Sequence, residues 1–182
     1  MRHTLIALVE DRPGALNRVL GLLRGRGLGL HSIAVGDSER PGVKRTTVLV
    51  DTDSAEQTIK QLNRLIEVLE VTDVTNTDYV VRETALVKIH APEPRREEIK
   101  QVADGFGARI VGTSPQTVVV EMTDTPARLG EMIARAMLFG ACETMRSGSL
   151  AMALGAPGPT RRTTAVGPED NTRAWWSQAD GC

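Results

Sequence analysis

The chain has 182 residues, with 22 lysines and arginines against 23 acidic residues and a formal net charge of −1. With two Phe, one Tyr and two Trp, it lacks both the basic surface and the stacking aromatics of nucleic-acid-binding domains. Cys142 and Cys182 have no zinc-type spacing, and no apolar run approaches the ~20 residues that cross a bilayer. The sequence therefore predicts a cytoplasmic protein with no nucleic-acid partner and no membrane contact.

The first 77 residues alternate between strand-like and helix-like patterns. The predicted elements are strands at 4–9, 30–35, 46–50 and 68–75, and helices at 16–23 and 51–69, with a Pro/Gly-rich hairpin at 37–42. The second helix is predicted from the spacing of its apolar positions Ile59, Leu62, Ile66 and Leu69. The order βαββαβ is typical of a ferredoxin-like unit with two helices on one face of an antiparallel sheet.

The same order begins again after Asp78. The predicted elements are strands at 83–90, 109–112, 118–122 and 141–153, and helices at 95–106 and 125–137. The sequence thus predicts an α+β protein of two tandem ferredoxin-like units, residues 1–77 and 78–154. Residues 155–182 are rich in Gly and Pro and have no apolar period, which predicts a disordered tail. Trp175-Trp176 in this tail is either a frayed terminus or an anchor for a partner.

The stretch LVEDRPGAL (8–16) connects the first strand to the first helix and has two interpretations. In one, Asp11 caps the helix and Gly14 removes side-chain bulk where the strand becomes a helix. In the other, the backbone N–H groups at the helix start bind a carboxylate or a phosphate, which Gly14 allows to approach closely. The related stretch DTPARL (124–129) has Ala127 in place of Gly14, so the anion-binding interpretation is stronger in the first unit.

Residues for catalysis are missing from the sequence. There is no nucleotide-binding loop of the G-x-x-x-x-G-K-[ST] type and no G-x-S-x-G nucleophile. The three histidines, His3, His31 and His90, lie far apart in or beside predicted strands without metal-ligand spacing. We therefore expect no catalytic residues and no metal site.

Several motifs carry a resemblance to a known family. The segment from residue 1 to residue 53 resembles the ACT domain that opens the small, regulatory subunit of acetolactate synthase. The resemblance continues with QLNRLIEVLEVTDV at 61–74, RETALVKI at 82–89 and RSG at 146–148. Together these motifs cover roughly residues 2–154 in the order of the family.

This resemblance implies a non-catalytic partner protein. Such small subunits activate a large catalytic subunit, a transferase that holds thiamine diphosphate, Mg²⁺ and FAD, and confer feedback inhibition by a branched-chain amino acid, usually valine. This chain would hold no cofactor of its own and would form a homodimer through its ACT domains. The alternatives are a free-standing amino-acid sensor that controls a different partner, and a small enzyme on the same scaffold.

The resemblance also implies an effector site between two chains. The effector carboxylate would meet the N–H groups of the turn before the first helix, its ammonium would face Asp11, and its side chain would lie in an apolar pocket. The residues implied are Asp11, Gly14, Ala15, Leu16, Gly29, Leu30 and Ile33.

Four positions depart from the family pattern. Asp11 and Gly29 stand where the family has asparagines, His31 replaces an acidic residue, and Gly112 replaces an aspartate. The missing asparagine at Gly29 removes a hydrogen bond to the effector, and such a loss costs ~1.5–3 kcal/mol of binding free energy. We therefore expect weakened, altered or lost sensing of valine.

Overall fold

Two antiparallel sheets follow each other along the chain, each with two helices on one face. The structure, a computed structural model, describes residues 1–155. The predicted tail after Gly155, with Trp175-Trp176, lies outside the described residues. The elements of the first unit are β1 (Arg2–Glu10), α1 (Ala15–Gly25), β2 (Gly29–Asp37), β3 (Val43–Asp51), α2 (Ala55–Leu62) and β4 (Val68–Asp73). Its strand order is β2-β3-β1-β4, so β2 and β4 are the edges of the sheet.

The second unit repeats this arrangement with one addition. Its elements are β5 (Tyr79–His90), α3 (Glu93–Phe106), β6 (Arg109–Thr113), β7 (Thr117–Asp124), α4 (Pro126–Leu138), β8 (Ala141–Arg146) and β9 (Leu150–Ala153). Its strand order is β6-β7-β5-β8, and β9 pairs with the first four residues of β5. The predicted α+β fold of two tandem ferredoxin-like units is confirmed.

Alternation along β1 gives the first sheet two buried faces. Leu5, Ala7 and Val9 face the helices and pack with Val19 of α1 in the larger core cluster. Ile6 faces the other way and packs with Val74 and with Ala151 of β9. The last strand of the second unit therefore covers the helix-free face of the first sheet.

The predicted strand 141–153 is wrong as a single element, because it consists of two strands. Gly148 has a φ of +80°, a left-handed conformation that interrupts an extended chain. Before it, β8 pairs with residues 85–89 of β5, and after it β9 pairs with residues 79–82. The start of the long strand β5 thus pairs with β9, and the rest of it pairs with β7 and β8.

The predicted second helix is too long. α2 ends at Leu62, and the chain then turns through Asn63 to Leu65 into β4. Ile66 is 84% exposed in this turn, and Leu69 lies in β4. Helical spacing failed here because Val68 and Val71, although three residues apart, both reach the core from an extended strand whose pairing with β1 shifts register between them.

No helix among the residues that the structure describes is long and apolar enough to cross a membrane.

Candidate functional site

The turn between β1 and α1 is built by backbone hydrogen bonds. Asp11 N–H donates to the Gly42 carbonyl at 2.8 Å, and Ala15 N–H donates to the Arg12 carbonyl at 3.1 Å. Gly14 is the N-cap of α1 with a φ of +82°, and no side chain caps the helix. The capping interpretation of Asp11 is therefore wrong, because a left-handed glycine and a backbone turn start this helix instead.

The same turn exposes the start of α1 to a ligand. The N–H groups of the first helical turn have no partner within the helix, and they carry the positive end of the helix dipole. Ala15 N–H already donates to Arg12 and Arg18 N–H to Gly14, so within the described residues the Leu16 and Asn17 N–H groups are the helical donors left for a carboxylate. The predicted roles of Gly14, Ala15 and Leu16 stay predictions.

Beside this turn, one lysine lies between two carboxylates. Lys44 Nζ lies 2.6 Å from Asp37 Oδ1 and 3.4 Å from Asp11 Oδ2. The hydrogen bond to Asp37, and then the bond to Asp11, raise the pKa of Lys44. The ammonium therefore offsets part of the negative charge of the two carboxylates near the helix start.

The first turn of α1 is held to the rest of the unit by an ion pair. Arg18 donates to the carboxylate of Glu67, which lies in the loop before β4 and is 7% exposed. This hydrogen bond lowers the pKa of Glu67. The Arg18 guanidinium also lies beside Gly14, where a Cβ would be 3.4 Å from Nη1. Arg18 thus connects the first turn of α1, beside Gly14, to the loop before β4.

The remaining predicted site residues lie at the start of β2. Gly29 pairs with Asp51 of β3, and a Cβ at Gly29 would lie 3.3 Å from Asp51 Cβ. His31 Nε2 lies 2.5 Å from Asp51 Oδ2, and this hydrogen bond lowers the pKa of Asp51. Leu30 is 38% exposed, whereas Ile33 packs against the core.

Within one chain the two groups of predicted site residues lie far apart. Gly29 is level with Arg2 at one end of β1, because both residues pair with Asp51. Asp11 follows Glu10 at the other end, roughly 27 Å away at the usual rise per strand residue. A single chain therefore does not bring them together. Two copies whose β2 edges pair antiparallel would bring the start of one β2 close to the Asp11 end of the other.

The two motifs of the second unit contact each other. Glu83 is 5% exposed, and Arg146 donates to both of its carboxylate oxygens at 2.8 Å. This pairing raises the pKa of Arg146. Ser147 N–H donates to the Thr84 carbonyl at 2.9 Å, and Thr84 N–H donates to Ser147 Oγ at 3.0 Å. From the sequence these motifs indicated only the family resemblance, because no local pattern pairs Glu83 with Arg146.

The histidines lie apart, as their spacing predicts. His3 Nδ1 contacts Asp73 at 2.8 Å, His31 contacts Asp51, and His90 ends β5 with an exposed side chain. Within residues 1–155, no three His, Cys, Asp or Glu side chains form a group that could hold a metal ion.

The fold and the β1–α1 turn define a tandem of ACT-type regulatory units, and the comparisons with known proteins agree. A family model described as "AHAS small subunit-like ACT domain" matches residues 5–70, and one described as "Small subunit of acetolactate synthase" matches residues 82–155. The chain belongs to the family of acetolactate synthase small subunits.

This chain matches individual relatives over nearly the whole length of each relative. The chain is 40% identical over 157 residues to a probable acetolactate synthase small subunit of Archaeoglobus fulgidus, covering 85% of this chain and 98% of that protein. It is 37% identical to the acetolactate synthase small subunit of Bacillus subtilis, covering 85% and 92% of the two chains. The crystal structure of the small subunit from Thermotoga maritima matches with a TM-score of 0.76 and 29% identity, covering 86% of this chain and 99% of that one.

Proposed function

We propose that this chain binds a large catalytic subunit of acetolactate synthase, raises its activity and makes it sensitive to a branched-chain amino acid. Membership of the small-subunit family supports the regulatory role. The observation that carries the sensing part is the β1–α1 turn, where a left-handed Gly14 opens the start of α1 to a carboxylate.

The effector is proposed to bind between two copies of the chain. One copy would supply Leu16 N–H for the carboxylate and Asp11 for the ammonium, and the other would supply the start of β2 with Ile33 in the apolar pocket. β2 supports this arrangement because it is an edge strand whose Leu30 and Val35 are 38% and 43% exposed. A site shared by two chains gives the effector a physical route to change the dimer.

The chemical step is proposed to belong to the large subunit. That subunit would hold thiamine diphosphate, Mg²⁺ and FAD, while this chain would supply no catalytic group. The role of this chain is then to shift the large subunit between more and less active states, by binding one state more tightly than the other.

We propose that this chain binds the effector more weakly than a chain with asparagine in place of Asp11 and Gly29 would. Gly29 offers no side-chain hydrogen bond to an effector, and Asp11 adds a negative charge near the carboxylate. Lys44 offsets that charge at 3.4 Å, so we propose that the site keeps some affinity for an amino acid.

The deciding experiment measures acetolactate formation by the large subunit of the same organism, with and without this chain, across a titration of valine, leucine and isoleucine. Higher activity that one of these amino acids reverses supports the whole proposal. Higher activity without any amino-acid response leaves an activator and overturns the sensing part. No change in activity overturns the proposal in favour of a free-standing sensor for a different partner.

A further inference from the structure

The segment that joins β8 to β9, from Arg146 at the end of β8 to Ser149, contacts both units of the chain. We name it the β8–β9 connector. On one side, Arg146 makes its two hydrogen bonds to the buried carboxylate of Glu83. On the other side, Ser149 N–H donates to Ser32 Oγ at 3.0 Å, and Ser149 is 3% exposed. Four residues thus connect the second sheet to the edge strand β2 of the first.

The contact at Gly148 is close enough to exclude any side chain. A Cβ at this residue would lie 2.9 Å from Ser32 Oγ and 3.0 Å from the Ile33 carbonyl oxygen. The Ile33 oxygen is a backbone atom, so a side chain at residue 148 would require β2 or the connector to shift. The φ of +80° adds a second reason for glycine. The connector therefore cannot move closer to β2 without displacing it, and the Ser149–Ser32 hydrogen bond opposes their separation.

Ser32 and Ile33 are adjacent in β2, so their side chains point to opposite faces of the sheet. Ile33 packs against the core on the helix side of the sheet and is a predicted pocket residue, whereas Ser32 contacts the connector. The pairing of β2 with β3 shifts register between Leu30 and Ser32, which marks a bulge. A ligand that repositions this bulge would move Ser32 and Ile33 together.

We propose that the contact of Ser32 with the β8–β9 connector carries the effector signal from β2 to the second unit. Ser32 is a positioning residue in this scheme, because it contacts the connector. The inference rests on the proposed function for the existence of the effector, but the mechanical coupling of Ser32 to the connector can be tested without any effector.

The first variant is Ser32→Ala, which removes the acceptor of Ser149 N–H without adding bulk. A purely local effect would speed hydrogen exchange at the Ser149 amide alone. Coupling through the connector predicts that exchange of the Ser147 and Thr84 amides, on the far side of Gly148, also speeds up about tenfold. Exchange that rises only at Ser149 overturns the inference, whatever the effector does.

The second test uses Gly148→Ala beside Gly107→Ala in the complex with the large subunit. Both glycines have positive φ, at +80° and +70°, but a Cβ at Gly107 meets nothing within 4 Å. The control therefore carries the same backbone strain without the contact. Ser32→Ala keeps this test decisive if Gly148→Ala fails to fold.

We expect Ser32→Ala and Gly148→Ala to lose most of the maximal inhibition by the effector, while the Kd measured by calorimetry stays within about threefold. Gly107→Ala should be inhibited like the wild type. Full inhibition in both connector variants overturns the inference. A wild-type chain that no branched-chain amino acid inhibits overturns the sensing function instead, and the exchange measurement then decides the inference alone.

Discussion

Lys44 Nζ lies 3.4 Å from Asp11 Oδ2, beside the turn that starts α1. Without the lysine, Asp11 would repel the carboxylate of an effector bound at that turn. Lys44→Met should therefore weaken effector binding about five- to tenfold by calorimetry. Adding Asp11→Asn should restore most of the loss, because the asparagine removes the charge near the effector carboxylate while its side-chain oxygen can still accept from the ammonium.

Lys60→Met serves as the matched control for this prediction. Lys60 pairs with Glu56 on the exposed side of α2, so its loss should leave effector binding unchanged. Equal binding by Lys44→Met and the wild type would mean that Lys44 does not act on the effector.

Gly14→Ala should both destabilise the chain and disturb the effector site. The φ of +82° is costly for alanine, so we expect a loss of ~1 kcal/mol in the free energy of unfolding by urea. Gly21→Ala, in the middle of α1 where a Cβ meets nothing within 4 Å, should instead gain ~0.5–1 kcal/mol. If both variants shift stability in the same direction, the left-handed conformation of Gly14 is wrong.

The Arg18–Glu67 ion pair should make stability depend on pH. The folded state lowers the pKa of Glu67 below its ordinary value of 4.5, so the pair stabilises the chain above that pH. The stabilisation is lost as pH falls through the lowered pKa. The stability difference between the wild type and Glu67→Gln should therefore be largest above pH 4.5 and shrink below it, in urea unfolding at a series of pH values.

Glu56→Gln is the control for this pH dependence. Glu56 also has a positively charged partner, Lys60, which lowers its pKa, but both side chains are exposed. Its effect on stability should be smaller at every pH, since exposed pairs contribute little. A Glu67 effect that is constant across the pH range would contradict the role of its charge.

Gly29→Asn should strengthen effector binding. An asparagine there would supply the side-chain hydrogen bond that the glycine lacks, which corresponds to roughly tenfold or more in Kd. Its Cβ would lie 3.3 Å from Asp51 Cβ, so Asp51 must shift slightly, and Gly29→Ala measures that steric effect alone. Calorimetry that shows equal binding by the asparagine and alanine variants would count against Gly29 as a site residue.

Arg146→Met should destabilise the chain more than the loss of an exposed pair does. It leaves the Glu83 carboxylate, 5% exposed, without its partner, at a cost of about 1–3 kcal/mol in the free energy of unfolding. Arg109→Met, which removes an arginine that is paired with Glu121 and mostly exposed, should cost less than ~1 kcal/mol. Adding Glu83→Gln to Arg146→Met should recover part of the loss, and its failure to do so would exclude an unpaired charge as the cause.

Local sequence patterns predicted most of the secondary structure, because strands and helices differ in the period of their apolar residues. The helix that ended too late shows the limit: Ile66 and Leu69 fit a helical face by spacing alone, and only the return of Val68 into the core required a strand. The start of α1 shows another limit. Asp11 is of a residue type that often caps helices, yet Gly14 occupies the N-cap position and no side chain caps α1.

Contacts between distant residues had no local signal. Ser149 and Ser32 are 117 positions apart, and no pattern in the residues around them predicts that their amide and hydroxyl form a hydrogen bond. The predicted effector site has a further difficulty, since its two groups lie at opposite ends of one sheet. Such a site depends on a second copy of the chain, so its residues stay predictions.

The position of β9 has a consequence for how the protein is made. This strand is the last element described along the chain, yet it covers the helix-free face of the first sheet, where Ile6 packs with Ala151. Ribosomes add roughly 5–20 residues per second, so that face stays open to water for several seconds after β4 has emerged. During synthesis the first unit is a half-covered sheet, and its contact with β9 forms late because it joins residues as far apart as Ile6 and Ala151.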